Sequence, residues 1–171
     1  GINKARFMCS VSDAIVLADS TSLSCLLDGT WIPMQIPEGI SICCIESFYG
    51  GVAALAEDGK FLFWGSPFDK AQLVATGAKG RFIDMDSYGE KCYAVTDLSE
   101  IVSIDLGLRA RIFDFNAYYS EYYGDIDIVS IAAGATSVCI AATRNGESPA
   151  AFISTNGNVW SERTFDYMEG G

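Results

Sequence analysis

The sequence predicts an all-β chain made of four similar units, each with four short antiparallel strands. Three observations support this prediction. Apolar runs of six or seven residues recur along the chain and end at an acidic or turn residue. Asp19, Asp58 and Asp97 close three of these runs at intervals of 39 residues, and the fourth run ends at Arg144 after an insertion. No segment of helical length has convincing 3.6-residue periodicity.

Each unit begins with two strands joined by a turn that usually contains glycine. The first strands are predicted at 5–11, 41–47, 81–87 and 127–133. The second strands are the recurring apolar runs themselves, at 14–19, 52–58, 92–97 and 138–144. Several of these strands are apolar at nearly every position, which is typical of a strand that is covered on both faces.

A tight turn, such as Asp58-Gly59 or Asn145-Gly146, then leads to a third strand. The third strands are predicted at 22–27, 60–65, 100–105 and 150–155, and the fourth strands at 30–36, 71–77, 110–115 and 159–164. Four-stranded units of about 40 residues match the blade of a β-propeller, which buries its faces only by stacking on the next blade.

We therefore predict one propeller-type domain over residues 1–171, with repeats at approximately 4–39, 40–80, 81–126 and 127–168. A complete propeller usually has more than four blades. Three arrangements follow from this count: a compact four-bladed ring, a part of a larger propeller, or a homo-oligomer that covers open blade faces.

The charge balance excludes two classes of partner. The chain has 22 acidic and 11 basic residues and a net charge of −11, so its surface repels the phosphates of nucleic acid and the headgroups of anionic membranes. Apolar stretches such as 51–56 are far shorter than the roughly 20 residues of a spanning helix, so no membrane insertion is expected. No secretory signal is recognisable at the N-terminus.

The residue types also bear on catalysis and metal binding. The chain has no histidine, which removes the commonest general base and the commonest metal ligand. Its six cysteines fall within apolar runs and form no CxxC pair, so we expect reduced core thiols and neither a zinc site nor another cofactor. Reduced thiols favour a cytoplasmic or virion location.

Two segments resemble a known repeat family. The segment 51–65, GVAALAEDGKFLFWG, followed by Gln72-Leu73, resembles a repeat of the regulator-of-chromosome-condensation (RCC1-like) type. The segment 128–134, IVSIAAG, followed by an apolar run from Ser137, resembles the opening of the same repeat. The family's usual histidine before the second strand is absent. The resemblance implies a propeller.

A second resemblance concerns the turn before the last strand of a repeat. It is similar to the Asp-box (BNR) pattern, with Asn in place of Asp, at Ser154, Asn156, Gly157 and Trp160. A shorter copy lies at the equivalent place of repeat one, at Asp28, Gly29 and Trp31. In this motif polar side chains bond the local backbone and the Trp packs beneath the turn. It implies a blade with a structural turn and no particular activity.

The insertion at 113–127 accounts for the longer third repeat and is predicted as a loop between blades three and four. It carries the candidate binding residues Tyr118, Tyr119, Tyr122 and Tyr123. Tyrosines offer a large, rigid contact surface with a polar tip, so they indicate a patch that binds protein or carbohydrate. The alternative is a loop whose tyrosines fold back over a blade edge.

These observations favour a non-catalytic binding or structural module, surface- or virion-associated, that recognises protein or glycan. The alternative is a fragment of a glycan-active propeller enzyme such as a sialidase. Such enzymes need an arginine cluster, and the six arginines here are scattered along the sequence. Asp84 and Asp86 fall on the same side of one strand, where we interpret them as a solvated face or a contact at a blade turn.

Overall fold

The computed structural model describes residues 4–163, which form four antiparallel sheets of four strands each. Blade 1 consists of β1 (Phe7–Val11), β2 (Ala14–Ala18), β3 (Leu23–Leu27) and β4 (Thr30–Met34). Blade 2 consists of β5 (Ile42–Phe48), β6 (Gly51–Ala56), β7 (Lys60–Trp64) and β8 (Gln72–Ala75). The all-β prediction and the order of strands within these units are confirmed.

Blade 3 consists of β9 (Phe82–Tyr88), β10 (Lys91–Thr96), β11 (Glu100–Asp105) and β12 (Ala110–Asp114). Helix α1 (Phe115–Tyr123) follows it. Blade 4 consists of β13 (Ile126–Ala133), β14 (Val138–Arg144), β15 (Ser148–Ser154) and β16 (Ser161–Arg163). Residues 164–168 of the fourth predicted repeat lie outside the described residues.

Tight turns join the strands of each blade. Asn145 and Gly146 both adopt positive φ, at 51° and 71°, as their Asn-Gly sequence favours. Gly51 is required for another reason: a Cβ there would overlap the carbonyl oxygen of Trp64, because β6 and β7 pair closely at this point. The glycine therefore allows the start of β6 to lie close to the end of β7.

The blades are arranged as an open arc. The first strands of successive blades lie side by side, β1 against β5, β5 against β9, and β9 against β13. Within residues 4–163 no comparable contact joins β13 to β1. The compact four-bladed ring, one of the three expected arrangements, is therefore not what the chain forms.

The core consists of three layers, one between each pair of neighbouring blades. Val16 and Trp64 are completely buried between blades 1 and 2, and Phe61 and Val102 between blades 2 and 3. The third layer, between blades 3 and 4, combines aliphatic side chains with several aromatic rings, Phe115 among them, and we call it the aromatic layer. Apolar side chains on both faces of the inner blades are thus removed from water, as the nearly continuous apolar strands predict.

The two aspartates on β9 bond blade 3 to blade 4. The Asp84 carboxylate accepts hydrogen bonds from the Ser130 hydroxyl at 2.6 Å and from the backbone N–H of Ile131 at 2.9 Å. The Asp86 carboxylate accepts from the N–H of Ala133 at 2.7 Å. These carboxylates make blade-to-blade contacts and do not form a carboxylate pair facing an open site.

The cysteines are free thiols distributed over all four blades. Cys9, Cys25 and Cys92 are buried, and Cys43 and Cys44 are half-buried. Burial is the main cause that raises the pKa of the Cys9 thiol to about 12. Cys139 departs from the prediction of a core thiol, because β14 turns it to the outward face of blade 4, where it is exposed.

Candidate functional site

The tyrosine-rich insertion is a helix, and our prediction of a loop was wrong. The Asp114 carboxylate caps its first turn by accepting a hydrogen bond from the N–H of Ala117 at 3.0 Å. The helix ends at Gly124, at φ 76°, whose N–H donates to the carbonyl of Ser120 at 2.9 Å. Helix α1 has nine residues and is too short to cross a membrane, and no other helix occurs in residues 4–163.

The helix is fixed over the junction of blades 3 and 4. Asn116 bonds both backbone groups of Ile126, accepting from its N–H at 3.0 Å and donating to its carbonyl at 2.9 Å. Phe115 is completely buried and packs on Phe152 of β15 at a ring distance of 4.9 Å. A polar clamp and an aromatic anchor therefore hold α1 against the start of blade 4.

Two of the four tyrosines point inward and support the fold-back alternative. The Tyr119 ring lies 4.9 Å from that of Phe115, and its hydroxyl accepts a hydrogen bond from the N–H of Trp160 at 2.9 Å. The Tyr123 ring lies 5.1 Å from that of Phe152. These contacts cover the outer part of the aromatic layer between blades 3 and 4.

The other two tyrosines face solvent. Tyr118 is 65% exposed and Tyr122 is 77% exposed, although both lie on a helix that packs against the protein. The Tyr118 ring stacks on Phe113 of β12, with centroids 4.8 Å apart and an interplanar angle of 14°. This stacking restricts the rotation of Tyr118 and leaves its other face open to solvent.

The segment 154–160 forms a rigid turn opposite the helix. The Ser154 hydroxyl accepts from the N–H of Gly157 at 2.8 Å, and the Asn156 side-chain oxygen accepts from the N–H of Asn158 and of Val159, both at 2.9 Å. Trp160 is buried. These are the local bonds and the packing that the Asp-box pattern predicts, but the assignment to that family stays a prediction. Since the turn includes residues 159 and 160, β16 begins at Ser161, two residues later than predicted.

The proposed copy in repeat one is different. Asp28 and Gly29, at φ 48° and 76°, form the two-residue turn between β3 and β4. Trp31 lies opposite Leu26 and remains half-exposed. The Trp does not pack beneath this turn, because its place on β4 directs it to the outward face of blade 1.

A groove lies between α1, the outer strand of blade 3 and the 154–160 turn. It has a volume of about 560 Å³, and most of its lining is apolar. Its walls include Tyr118 and Tyr119 on one side and Gly157 on the other. The complete lining is Ile101, Ser103, Arg111, Ile112, Phe113, Tyr118, Tyr119, Gly157, Asn158 and Val159. We call this cavity the tyrosine groove.

A polar cavity of about 230 Å³ adjoins the tyrosine groove, and the two share Ser103, Arg111 and Asn158. It adds Lys91 and Arg109, so three of the chain's eleven basic residues converge at this end. Sequence reasoning did not single out these three residues. The alternation Arg109-Ala110-Arg111, which puts two arginines on one side of a strand, was the signal available.

The charges in the polar cavity are arranged unevenly. Asp105 pairs with Arg109 at 3.0 Å, and the backbone N–H and side chain of Arg109 hold the pKa of Asp105 below its usual value. Among the described residues no ion pair involves Arg111 or Lys91. These two positive charges lie together without a salt bridge, on a protein whose overall charge is strongly negative.

Comparison with known proteins supports the fold. No protein-family model matches the sequence, and no curated protein matches it either. The structure is similar to BBS1N, solved in complex with ARL6DN, with a TM-score of 0.70 and 13% identity, over 94% of this chain and 51% of the other. The chain has a β-propeller fold. These structures do not show whether the repeats are of the RCC1-like or the Asp-box type.

Two further propellers are similar at the same level. The WD40 domain of Neurospora crassa Pan2 has a TM-score of 0.62 and 11% identity, over 91% of this chain and 50% of its own. YCF48 bound to D1 peptide has a TM-score of 0.67 and 11% identity, over 93% and 53%. The chain thus spans about half the length of these three propellers.

Proposed function

We propose that the chain is a non-catalytic protein-recognition module that binds a peptide segment in the tyrosine groove. The observation that carries this proposal is the exposed Tyr118 ring, held by stacking on Phe113 at the mouth of a mainly apolar groove. Rigid aromatic side chains bury a large area at low entropic cost, which is why they dominate binding energy at protein interfaces.

The charge of the site specifies the peptide further. Arg111 lines both the tyrosine groove and the adjoining polar cavity, which also contains Lys91, whereas Tyr118 lines the groove alone. We expect a ligand with an apolar or aromatic residue for the groove and a carboxylate a few residues away for the basic end. Nucleic acid also carries negative charge, but the net charge of −11 opposes its approach.

Two of the similar structures contain a protein or peptide partner: BBS1N is in complex with ARL6DN, and YCF48 is bound to D1 peptide. These partners belong to those proteins. They support the proposal only in that a fold of this kind can bind polypeptide.

The proposal can be tested by selecting peptides from a random phage-displayed library on the purified chain. The selected peptides are then titrated against Tyr118→Ala, Arg111→Ala and the control Tyr49→Ala, which removes a tyrosine of similar exposure distant from the groove. A central aromatic contact contributes about 2 kcal/mol, so Tyr118→Ala should weaken binding about 30-fold. Arg111→Ala should weaken binding chiefly at low salt, and Tyr49→Ala should leave it unchanged.

Two results would contradict the proposal. If Tyr49→Ala weakens the selected peptides as much as Tyr118→Ala, the groove is not the binding site. If a panel of fluorogenic glycosides, including a sialoside, is turned over, the chain is a glycan-active enzyme and the non-catalytic assignment is wrong. Binding on a glycan array that is lost in Tyr118→Ala, with no peptide selected, would assign the groove to carbohydrate instead.

A further inference from the structure

Blade 1 has an uncovered apolar face on the side that points away from blade 2. The strand registers place five large side chains on it: Met8, Ile15, Leu17, Leu26 and Trp31. Met8 is 71% exposed, and none of the five is charged. We call this set the blade 1 face.

The positions of Met8 and Ile15 are buried in every other blade. In the register of the first hairpin, the place of Met8 is taken by Ile45, Met85 and Ile131, which are 5%, 4% and 4% exposed. The place of Ile15 is taken by Val52, Cys92 and Val138, all of which are buried. Each of these residues packs on the preceding blade. The blade 1 face is therefore one side of a blade-to-blade contact, and residues 4–163 supply no blade that covers it.

Blade 4 has the complementary uncovered face. On the side away from blade 3 its central strands present three small residues and one isoleucine (Cys139, Ala141, Ala151 and Ile153), and its outer strand adds Arg163 opposite Ala151. Cys139 and Ala141 are exposed, whereas Tyr93 and Val95, their counterparts in blade 3, are buried against blade 4. We call this set the blade 4 face. Large side chains on one face and small ones on the other allow the two sheets to approach closely.

We infer that the blade 1 face of one chain packs against the blade 4 face of a second copy, so that two chains close a ring of eight blades. The contact continues the one that already joins blades 1 to 2, 2 to 3 and 3 to 4. The chain spans about half the length of three similar propellers, so two copies together reach the length of one such ring. A head-to-tail contact whose rotation closes produces a ring and no open polymer.

The available area is sufficient for a stable dimer. A face of four strands, each about five residues long, measures roughly 19 Å by 17 Å from the standard spacings of a sheet. The ring contains two such contacts and therefore four such faces. Treated as flat sheets, these faces bury about 1,300 Å² in total. That value lies within the range of about 1,200–2,000 Å² for specific interfaces.

The test is the mass of the purified chain by size-exclusion chromatography with light scattering. We expect a particle of twice the chain mass of 18.4 kDa. Met8→Glu on the blade 1 face and Ala141→Glu on the blade 4 face should each give monomers, because each places an unpaired charge in both contacts of the ring. Phe68→Glu is the matched control, since Phe68 is equally exposed but lies on the loop after β7, away from both faces.

A mixture of the two monomeric variants separates a broken contact from a misfolded chain. In a dimer of Met8→Glu with Ala141→Glu, one of the two contacts is wild type on both sides. Mixing should therefore restore a part of the dimer, which two misfolded variants do not form.

Four results would overturn the inference. The first is a wild-type monomer at about 100 µM, where even a micromolar dimer is formed. The second is a mass that keeps growing with concentration, which indicates an open polymer. The third is a dimer that only one of the two variants disrupts, which indicates contact between identical faces. The fourth is a Phe68→Glu variant that is monomeric as well. The peptide site lies on other surfaces, so its test is independent of this one.

Discussion

Substitution of Phe115 by alanine tests whether the aromatic layer between blades 3 and 4 holds the helix and the tyrosine groove in place. Phe115 is completely buried, and its ring lies 4.9 Å from the rings of both Tyr119 and Phe152 and 6.1 Å from that of Trp160. Burial of a Phe side chain contributes about 2–3 kcal/mol. Each aromatic pair adds about 0.5–1.5 kcal/mol.

With the lower values for burial and for the three aromatic pairs, these contributions predict that Phe115→Ala lowers the free energy of unfolding by about 4 kcal/mol, within the usual range of about 3–5 kcal/mol for such truncations. A domain of this size is stable by only about 5–15 kcal/mol, so the loss is a large part of the total. The assay is urea unfolding followed by tryptophan fluorescence, at one fixed protein concentration because association also contributes to stability.

The control for this experiment is Tyr118→Ala, which removes an exposed ring from the same helix. This substitution removes one stacked pair, Tyr118 on Phe113, and should change the free energy of unfolding by about 1 kcal/mol or less. If Phe115→Ala costs less than about 1.5 kcal/mol, or no more than Tyr118→Ala, the aromatic layer does not hold blade 4 and α1 and the reasoning is refuted.

Three further predictions follow from single contacts. Gly51→Ala should lower the melting temperature strongly by calorimetry, because an added Cβ overlaps the backbone of β7; an unchanged melting temperature would contradict the strand pairing there. In the monomeric Met8→Glu chain, where the blade 4 face is open, a thiol reagent should modify the exposed Cys139 first and Cys92 only on unfolding, because burial raises the pKa of the Cys92 thiol and blocks access. The Arg81 side chain lowers the pKa of Asp97 from 3.8 in the folded chain, so this pair stabilises the fold above that pH, and the advantage is lost as pH falls through the lowered pKa. Arg81→Ala should therefore be slightly less stable than wild type at neutral pH and equally stable in strong acid, by urea unfolding at each pH.

The architecture could be predicted from the sequence because the repeat is strict where blades pack on each other. The 39-residue spacing of Asp19, Asp58 and Asp97 gave three of the units, and the strand order follows from the turns. The open arc could not be predicted in this way, since the sequence of a blade face is the same whether its partner is present or absent.

The helix could not be recognised from hydrophobic periodicity. The segment Phe115–Tyr123 contains Tyr, Asn and Ser, which are poor helix formers, and only Phe115 among its residues is fully buried. The helix instead depends on its ends and on tertiary contacts. The signals that were present are the capping Asp114 and the terminal Gly124.

Only a part of the candidate site could be predicted, because the helix was not recognised. The sequence identified the four tyrosines but did not separate Tyr119 and Tyr123, which pack inward, from Tyr118 and Tyr122. That division depends on the helical period, in which residues three or four apart share a face. A loop has no such period. Arg111 lies on β12, the strand before the helix, and only the folded structure shows that it lines the same groove.

In a single chain, the end blades are each packed on one side only. In stacked repeat proteins the stability of a unit depends on its intrinsic stability and on the contacts with its immediate neighbours. Blades 2 and 3 have two such neighbours, whereas blades 1 and 4 have one each. Amide protons in β2 and β14 of an isolated chain should therefore exchange with solvent earlier than those in β6 and β10, and melting should proceed from the two ends of the arc toward its centre.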